Sequence, residues 1–105
     1  MNRMINEEKV YSLIEQYHLN CGCEARYIDL VSETGELGKE LLKGSDYGKA
    51  PFQITSDTKE EMGDCLFSLI ALCHELGIDP GSVLDQAISK YERRFGEKGD
   101  IGSGK

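Results

Sequence analysis

Residues 59–76, KEEMGDCLFSLIALCHEL, most constrain the fold, because they predict one long helix that is apolar around much of its circumference. On a helical wheel, Phe67 and Ala71 lie well away from the main apolar stripe, which runs through Met62 and Leu69. A helix this apolar is usually buried on several sides. Four short helices of one chain provide too little cover, so we expect a second copy of the chain to supply the rest.

Three further helices are predicted from the three–four spacing of apolar residues. The four predicted helices cover residues 5–19, 24–43, 58–76 and 80–95. Glycines break the chain between them, at Gly22, Gly44 and Gly77. We expect Ser56 or Asp57 to cap the third helix, with Glu60 completing a capping box. No stretch alternates as a strand would, so the sequence predicts an all-α fold.

Residues 44–57, GSDYGKAPFQITSD, hold two glycines and a proline but no helical period, so they are predicted to form a loop. Loops of this length in small domains are often functional. A lid over a site and a plain connector are both open interpretations. We expect one domain over residues 1–98 and a flexible tail over residues 99–105, whose composition is typical of disordered ends.

The formal net charge is -7, from 19 acidic and 12 basic residues. Non-specific binding to nucleic acid depends on positive charge, so this composition argues against that function. No apolar run is long enough to span a membrane, and the N-terminus lacks the apolar core of a secretion signal. We therefore expect a cytoplasmic protein. Small phosphorylated ligands remain allowed, because a bound metal ion can reverse the local field.

The four cysteines are expected to be reduced thiols in that compartment. Cys65 and Cys73 lie on the apolar face of the third helix, where cysteine acts as a small hydrophobe. Cys21 and Cys23 form a C-x-C near His18. A metal site there is conceivable, but the spacing is not that of a standard zinc motif. An ordinary loop between helices is the alternative.

Two pairs of acids carry the chemistry. Glu33 and Glu36 are three residues apart in the second helix, and Glu61 and Asp64 are three apart in the third. Residues at i and i+3 point from neighbouring turns of one helix face. Each pair can therefore converge on one cation.

The two pairs also share a rotational phase. In both helices the first acid borders the apolar face and the second lies about 60° further out. Two helices packed by their stripes would bring the four carboxylates to one cleft. Two solvated acidic faces are the alternative interpretation, although unpaired acids at this spacing repel one another slightly.

Four carboxylates without a histidine favour a hard ion, with magnesium as the physiological choice and manganese as a substitute. A di-iron bundle would need a Glu-x-x-His motif, which neither His18 nor His74 supplies. Magnesium usually keeps positions open for water and substrate phosphates. The sequence therefore predicts phosphate transfer or phosphoanhydride hydrolysis.

Such a site also needs fixed positive charge. The fourth helix supplies Lys90, Arg93 and Arg94 in KYERRF, and arginine can grip phosphate oxygens in bidentate fashion. A basic last turn that complements the helix dipole is the alternative. Lys39 and Lys43, on the acidic helix, are weaker candidates for phosphate contact.

With these residues in place, the chain resembles the MazG-like nucleotide pyrophosphohydrolases. ETGE in the second helix and EMGD in the third match the ExxE…ExxD signature of that family, with 24 residues between Glu36 and Glu61. LVSETGELGKELLK, EEMGDCLFSLIAL and SKYERRF resemble its helices. The resemblance covers roughly residues 27–95, and the short chain is similar to the single-domain members.

The resemblance implies an all-α chain that pairs in a homodimer to form a four-helix-bundle core, sometimes paired again into a tetramer. It also implies magnesium-dependent cleavage of a nucleoside triphosphate between the α and β phosphates, which gives a monophosphate and pyrophosphate and can serve as housecleaning of non-canonical nucleotides. The metal ligands it implies are Glu33, Glu36, Glu61 and Asp64.

The family's phosphate-binding positions carry over to Lys90 and Arg94, with Arg93 a further candidate. We expect the base to sit in an apolar cleft that involves Tyr27 or residues of the first helix. Ile88 departs from the family, because related chains often carry asparagine two residues before the lysine of the basic motif.

Our mechanistic hypothesis is that a water activated by the cation attacks a phosphorus atom of the α–β bridge. Glu33 or Glu36 would orient that water, and the sequence leaves both open. Two competing functions also remain at this point. One is a sister enzyme that cleaves a phosphoribosyl-ATP-type phosphoanhydride. The other is a non-enzymatic helical interaction module that has kept its acids only as surface.

Overall fold

The computed structural model describes residues 5–98 of the 105-residue chain. Those residues form four α-helices and no strand, which confirms the all-α prediction. The helices are α1 (Glu7–Gln16), α2 (Cys23–Gly44), α3 (Ser56–Leu76) and α4 (Pro80–Lys98). The tail predicted at residues 99–105 lies outside the described part, and the division at residue 98 stays a prediction. Within the described ranges, none of the helices combines the length and hydrophobicity that crossing a bilayer requires.

The first helix is shorter than predicted. It ends at Gln16, whereas we expected it to continue to residue 19. His18 adopts a left-handed backbone with φ 55°, and the Leu19 amide donates to the carbonyl of Ile14. The helix therefore closes in a turn, which starts before the glycine expected to break it. Gly22 does sit at the following turn, with φ 90°.

The start of α3 differs from the prediction in its capping residue. Thr55 caps the helix, whereas Ser56 and Asp57 lie inside its first turn. The hydroxyl of Thr55 accepts a hydrogen bond from the Thr58 amide at 3.2 Å. The hydroxyl of Thr58, and not the carboxylate of Glu60, faces back to the Thr55 amide to close the box. Thr58 is buried, so a short side chain serves where a glutamate would be desolvated.

Helices α2 and α3 form the main packing unit, and α1 lies against α3. Tyr11 of α1 stacks on His74 of α3, with 4.7 Å between ring centroids. The fully buried side chain of Ile14 anchors α1. Helix α4 makes no comparable contact with the other three helices. The site-bearing helices are therefore paired, whereas the basic helix projects from them.

The apolar stripes predicted for α2 and α4 are open to solvent in one chain. Leu84 and Phe95 of α4 are each about 60% exposed, at 59% and 61%. On α3, Ala71 is fully buried, whereas Met62 and Leu69 are close to half exposed. The buried face of α3 is thus the Ala71 side, which lies away from the stripe that the sequence marked as principal. Much apolar surface is left uncovered.

The loop between α2 and α3 folds back onto the end of α2. The Tyr47 amide donates to the Leu42 carbonyl at 2.7 Å, and the Gln53 amide donates to the Gly44 carbonyl at 3.0 Å. The hydroxyl of Ser45 accepts from the Gly48 amide. These bonds make the loop an ordered cap of α2. Its interpretation as a lid stays a prediction.

The Thr55 cap can be tested by urea unfolding. We expect Thr55→Ala to lower the free energy of unfolding by about 1 kcal/mol, because the amide of Thr58 loses its acceptor. Ser56→Ala is the matched control, since its hydroxyl caps nothing and its loss is expected to change little. Equal effects of the two substitutions would contradict the assignment of the cap.

Candidate metal centre

Three carboxylates from two helices meet at the α2–α3 interface. Glu33 of α2 and both Glu61 and Asp64 of α3 each place one oxygen within 4.8 Å of the others. The i,i+3 spacing puts the two α3 acids on one face, and the packing of α2 on α3 brings Glu33 to them. The cluster thus spans two helices, so it depends on their packing.

The exposure of the four predicted ligands follows their rotational order. Glu33 and Glu61 are half-buried, whereas Glu36 and Asp64 are exposed. Glu36 lies outside the three-oxygen cluster, although its charge still acts on Glu61. The structure therefore brings three of the four acids together and leaves Glu36 beside them.

Repulsion within the cluster is visible at Glu61. Partial burial raises the pKa of this carboxyl, and the nearby charges of Asp64, Glu33 and Glu36 raise it further. Burial also raises the pKa of the Cys65 thiol, and the acids add to that shift. A cation among the three oxygens would reverse this local field.

The donor set fits a hard divalent cation. Carboxylate oxygens are the ligands that Mg²⁺ and Mn²⁺ prefer. Two ion pairs occur in the described chain, Arg26–Asp29 and Lys43–Glu40, and neither uses an acid of the cluster. The three carboxylates are thus left without a lysine or arginine partner in the part of the chain that the structure covers.

The predicted phosphate-binding residues lie elsewhere in the single chain. Lys90 and Arg94 are half-buried against the ring of Tyr91, at 4.9 Å and 6.0 Å from its centroid. Arg93 is exposed. Because α4 does not pack along α2, the fold does not bring this basic helix onto the acidic one.

Two weaker candidates lie on α2 itself. Lys39 and Tyr27 are both exposed, and Tyr27 is 55% accessible. Both side chains are therefore free to meet a ligand or another chain. The apolar cleft expected around Tyr27 is not enclosed by one chain.

The C-x-C motif forms no metal-binding group with His18 within residues 5–98. Cys21 is exposed and Cys23 half-buried, and both thiols are free. The motif instead forms the turn into α2, and the amide of Cys21 donates to a carboxylate oxygen of Glu75 at 2.8 Å. The inter-helix loop interpretation is the one that the structure supports.

Sequence reasoning missed Arg26 and Glu75. Arg26 is buried, donates to the carbonyl of Leu19 at 2.7 Å, and has a buried Nε without a partner. Glu75 accepts from the amides of Cys21 and Gly22. One signal was present, because Gly22 has no side chain with which to cap α2. Nothing local indicated that the missing acceptor lies more than 50 residues away.

Comparison with known proteins adds a family. The family model described as MazG nucleotide pyrophosphohydrolase domain matches residues 24–97. The chain is 37% identical over 68 residues to the "Uncharacterized protein YpjD" of Bacillus subtilis (strain 168). That match covers 62% of this chain and 60% of the relative. No solved structure matches the chain significantly.

Burial and charge repulsion at Glu61 together predict a pH-dependent stability. The raised folded-state pKa of Glu61 means that the folded chain penalises its charged form. This penalty is absent below the ordinary value of 4.5, develops as the pH rises from 4.5 to the raised pKa, and is complete above it. In EDTA, we therefore expect Glu61→Gln to raise the unfolding temperature at pH 7 but not near pH 4.

Thermal unfolding followed by circular dichroism measures this difference. Glu60→Gln is the matched control, because it removes the same charge one residue away. Of the neighbouring acids that raise the pKa of Glu61, Glu60 has the smallest effect. Equal unfolding temperatures of wild type and Glu61→Gln at pH 7 would contradict the repulsion.

Proposed function

We propose that this chain, which belongs to the MazG nucleotide pyrophosphohydrolase domain family, hydrolyses nucleoside triphosphates at the α–β phosphoanhydride and releases a monophosphate and pyrophosphate. The observation that carries the proposal is the meeting of Glu33, Glu61 and Asp64 within 4.8 Å at the interface of α2 and α3. Housecleaning of non-canonical nucleotides is the role we propose, and the cytoplasm is the compartment.

Magnesium is the cofactor we propose, with manganese as a substitute. Glu33, Glu61 and Asp64 would hold the ion, since the set contains only oxygen donors. Burial, and after it the charges of the neighbouring acids, raises the pKa of Glu61. When bound, the ion supplies neutralisation of the triphosphate charge and Lewis acidity. Its binding would offset the repulsion that the three carboxylates otherwise create.

Glu36 is the residue we propose to orient the attacking water and accept its proton. Its carboxylate is exposed and lies outside the three-oxygen cluster, yet near enough for its charge to act on Glu61. A carboxylate in that position is free to bind water while its neighbours hold a cation. Of the two residues that the sequence left open, this favours Glu36 over Glu33.

Lys90 and Arg94 are the proposed partners of the leaving pyrophosphate, with Arg93 as a further contact. Both side chains pack against Tyr91, which limits the conformational freedom they lose on binding phosphate. Lys39 and Tyr27 are proposed secondary contacts from α2, where both are exposed.

A homodimer is the assembly we propose, either alone or paired again into a tetramer. The support is that α3 and α4 each have an exposed apolar face. These faces include Met62 and Leu69 on α3, and Leu84 and Phe95 on α4. Burying such faces against a second copy is strongly favourable. In a dimer, α4 of one copy can approach the acids of the other, which supplies the positive charge that one chain does not bring there.

Pyrophosphate release tests the activity. We expect the purified chain to release pyrophosphate from one or more members of a panel of canonical and damaged nucleoside triphosphates with Mg²⁺ or Mn²⁺, and not in EDTA. Glu36→Gln and Glu61→Gln should each reduce kcat by about a hundredfold or more, whereas Glu60→Gln should keep most of it. Release from none of the substrates would overturn the proposal, and release from phosphoribosyl-ATP alone would move the chain to the sister activity.

Mixing two inactive variants tests the dimer. Glu61→Gln and Arg94→Ala chains are each expected to be nearly inactive. If one copy supplies the acids and the other the arginine, chains mixed and reassembled from a mild denaturant regain part of the activity, because one site in each mixed dimer is intact. Light scattering gives the mass of the assembly. A stable monomer, or no recovery in a confirmed mixed dimer, would contradict the shared site.

A further inference from the structure

Two contacts, one of them long-range, tie the ends of α2 to the chain around α3. At the start of α2, one oxygen of Glu75 accepts from the amides of Cys21 and Gly22, at 2.8 Å and 3.1 Å. At its end, the carbonyl of Gly44 accepts from the amide of Gln53 at 3.0 Å. The two contacts lie at opposite ends of the same helix pair. We call them the Glu75 clamp and the Gly44 clamp.

The acid cluster lies midway between the two clamps. The positions on the α2 side are Gly22, Glu33 and Gly44, and those on the α3 side are Gln53, Asp64 and Glu75. Successive positions on each side are 11 residues apart. From Gly22 to Gly44 and from Asp64 to Glu75 each such step is about three turns of helix, whereas Gln53 lies in the loop just before α3 begins at Ser56. The three pairs therefore mark one antiparallel register, with the acids at its centre.

The Gly44 clamp is possible only because residue 44 has no side chain. A Cβ there would lie 2.5 Å from Cε1 of Phe52 and 2.9 Å from the carbonyl oxygen of Gln53. These distances are well below ordinary contact, so the loop would have to move away from the end of α2. The close approach of loop and helix thus depends on glycine at this position.

The register matters because the three carboxylates meet only within a small range of relative helix positions. A slip of one residue moves a helical side chain about 1.5 Å along the axis and about 100° around it. Such a slip would separate oxygens that now lie within 4.8 Å. Of the four buried residues of α3, Thr58, Ser68 and Ala71 have small side chains and only Ile70 has a large one, so few bulky buried side chains on α3 resist a slip. Three carboxylates whose oxygens lie within 4.8 Å across this interface also repel one another.

We propose that Glu75 and Gly44 are positioning residues, which hold α2 and α3 in the register that gathers Glu33, Glu61 and Asp64. This role rests on the proposed metal-dependent function, although the register itself does not require a metal. Neither residue touches the cluster. Both act through the helix ends, three turns away.

Mn²⁺ affinity of the metal-stripped chain, measured from the EPR signal of free Mn²⁺, tests the Glu75 clamp. Glu75→Ala removes the acceptor and should weaken Mn²⁺ binding by about tenfold or more. Glu75→Gln keeps an acceptor oxygen and should restore most of the affinity. Asp79→Ala is the matched control. That carboxylate also accepts from two donors of one residue, Ser82, but it ties only the start of α4.

The same measurement tests the Gly44 clamp. Gly44→Ala should weaken Mn²⁺ binding, because the added Cβ displaces Phe52. Gly38→Ala is the matched control on the same helix, since a Cβ at that position meets no atom within 4 Å. Its affinity should stay at the wild-type value.

A double-mutant cycle supplies a readout that needs no metal. Glu33→Gln and Glu61→Gln, singly and together, give the repulsive coupling between these acids from urea unfolding in EDTA. We expect that coupling to be smaller in the Glu75→Ala background than in wild type, and unchanged in the Asp79→Ala background. A loss of overall stability alone would not change the coupling free energy between Glu33 and Glu61.

The outcomes separate the two proposals. Wild-type affinity in both Glu75→Ala and Gly44→Ala, or an equal loss in Asp79→Ala, overturns the positioning role. If the wild-type chain binds no Mn²⁺, the proposed function fails and the double-mutant cycle alone decides. A coupling unchanged by Glu75→Ala then overturns the register role, and a reduced coupling supports it.

Discussion

The rest of the structure depends on the packing of α2 on α3. This packing is opposed by the repulsion among the carboxylates that it brings together. Glu33, Glu61 and Asp64 gather on two helices without a basic partner in the described chain. Like charges at this distance disfavour the contact that creates them. The pairing must therefore be held from elsewhere. Contacts at both ends of the helix pair, at Gly22 and at Gly44, supply such support.

The fold of one chain leaves much of its apolar surface exposed. A chain of about this size can bury a core of its own, yet only Ile14, Ile70 and Ala71 are buried apolar residues within the described range. The remaining apolar stripes of α2, α3 and α4 face solvent. The intrinsic stability of one chain is thus expected to be low, and the free energy of folding and of association to be closely linked. The homodimer that the apolarity of α3 led us to expect stays a proposal.

The parts that the sequence predicted are those set by local periodicity. Helix positions, and the exposure of Glu33 relative to Glu36, follow from rotation about one axis, so a single segment contains the information. The choice of Thr55 over Ser56 as a cap did not follow, because several capping residues stand in a row and the burial of Thr58 decides among them. The Glu75 contact joins residues more than 50 positions apart. No local pattern encodes such a pair.

The separation of opposite charges in the chain has a chemical consequence. If Arg94 or Lys90 lay beside Glu61 in the same chain, the ion pair would neutralise the carboxylates and compete with any cation for them. Instead these bases pack on Tyr91 of α4, and the acids sit on α2 and α3. Within the described residues no ion pair joins the two sets, which leaves the acids available for the proposed metal ion and the bases for the proposed phosphate. We infer that assembly brings the two sets together around a triphosphate, whose charge then links them. In the proposed homodimer, both the substrate and the partner subunit would be needed to complete the site.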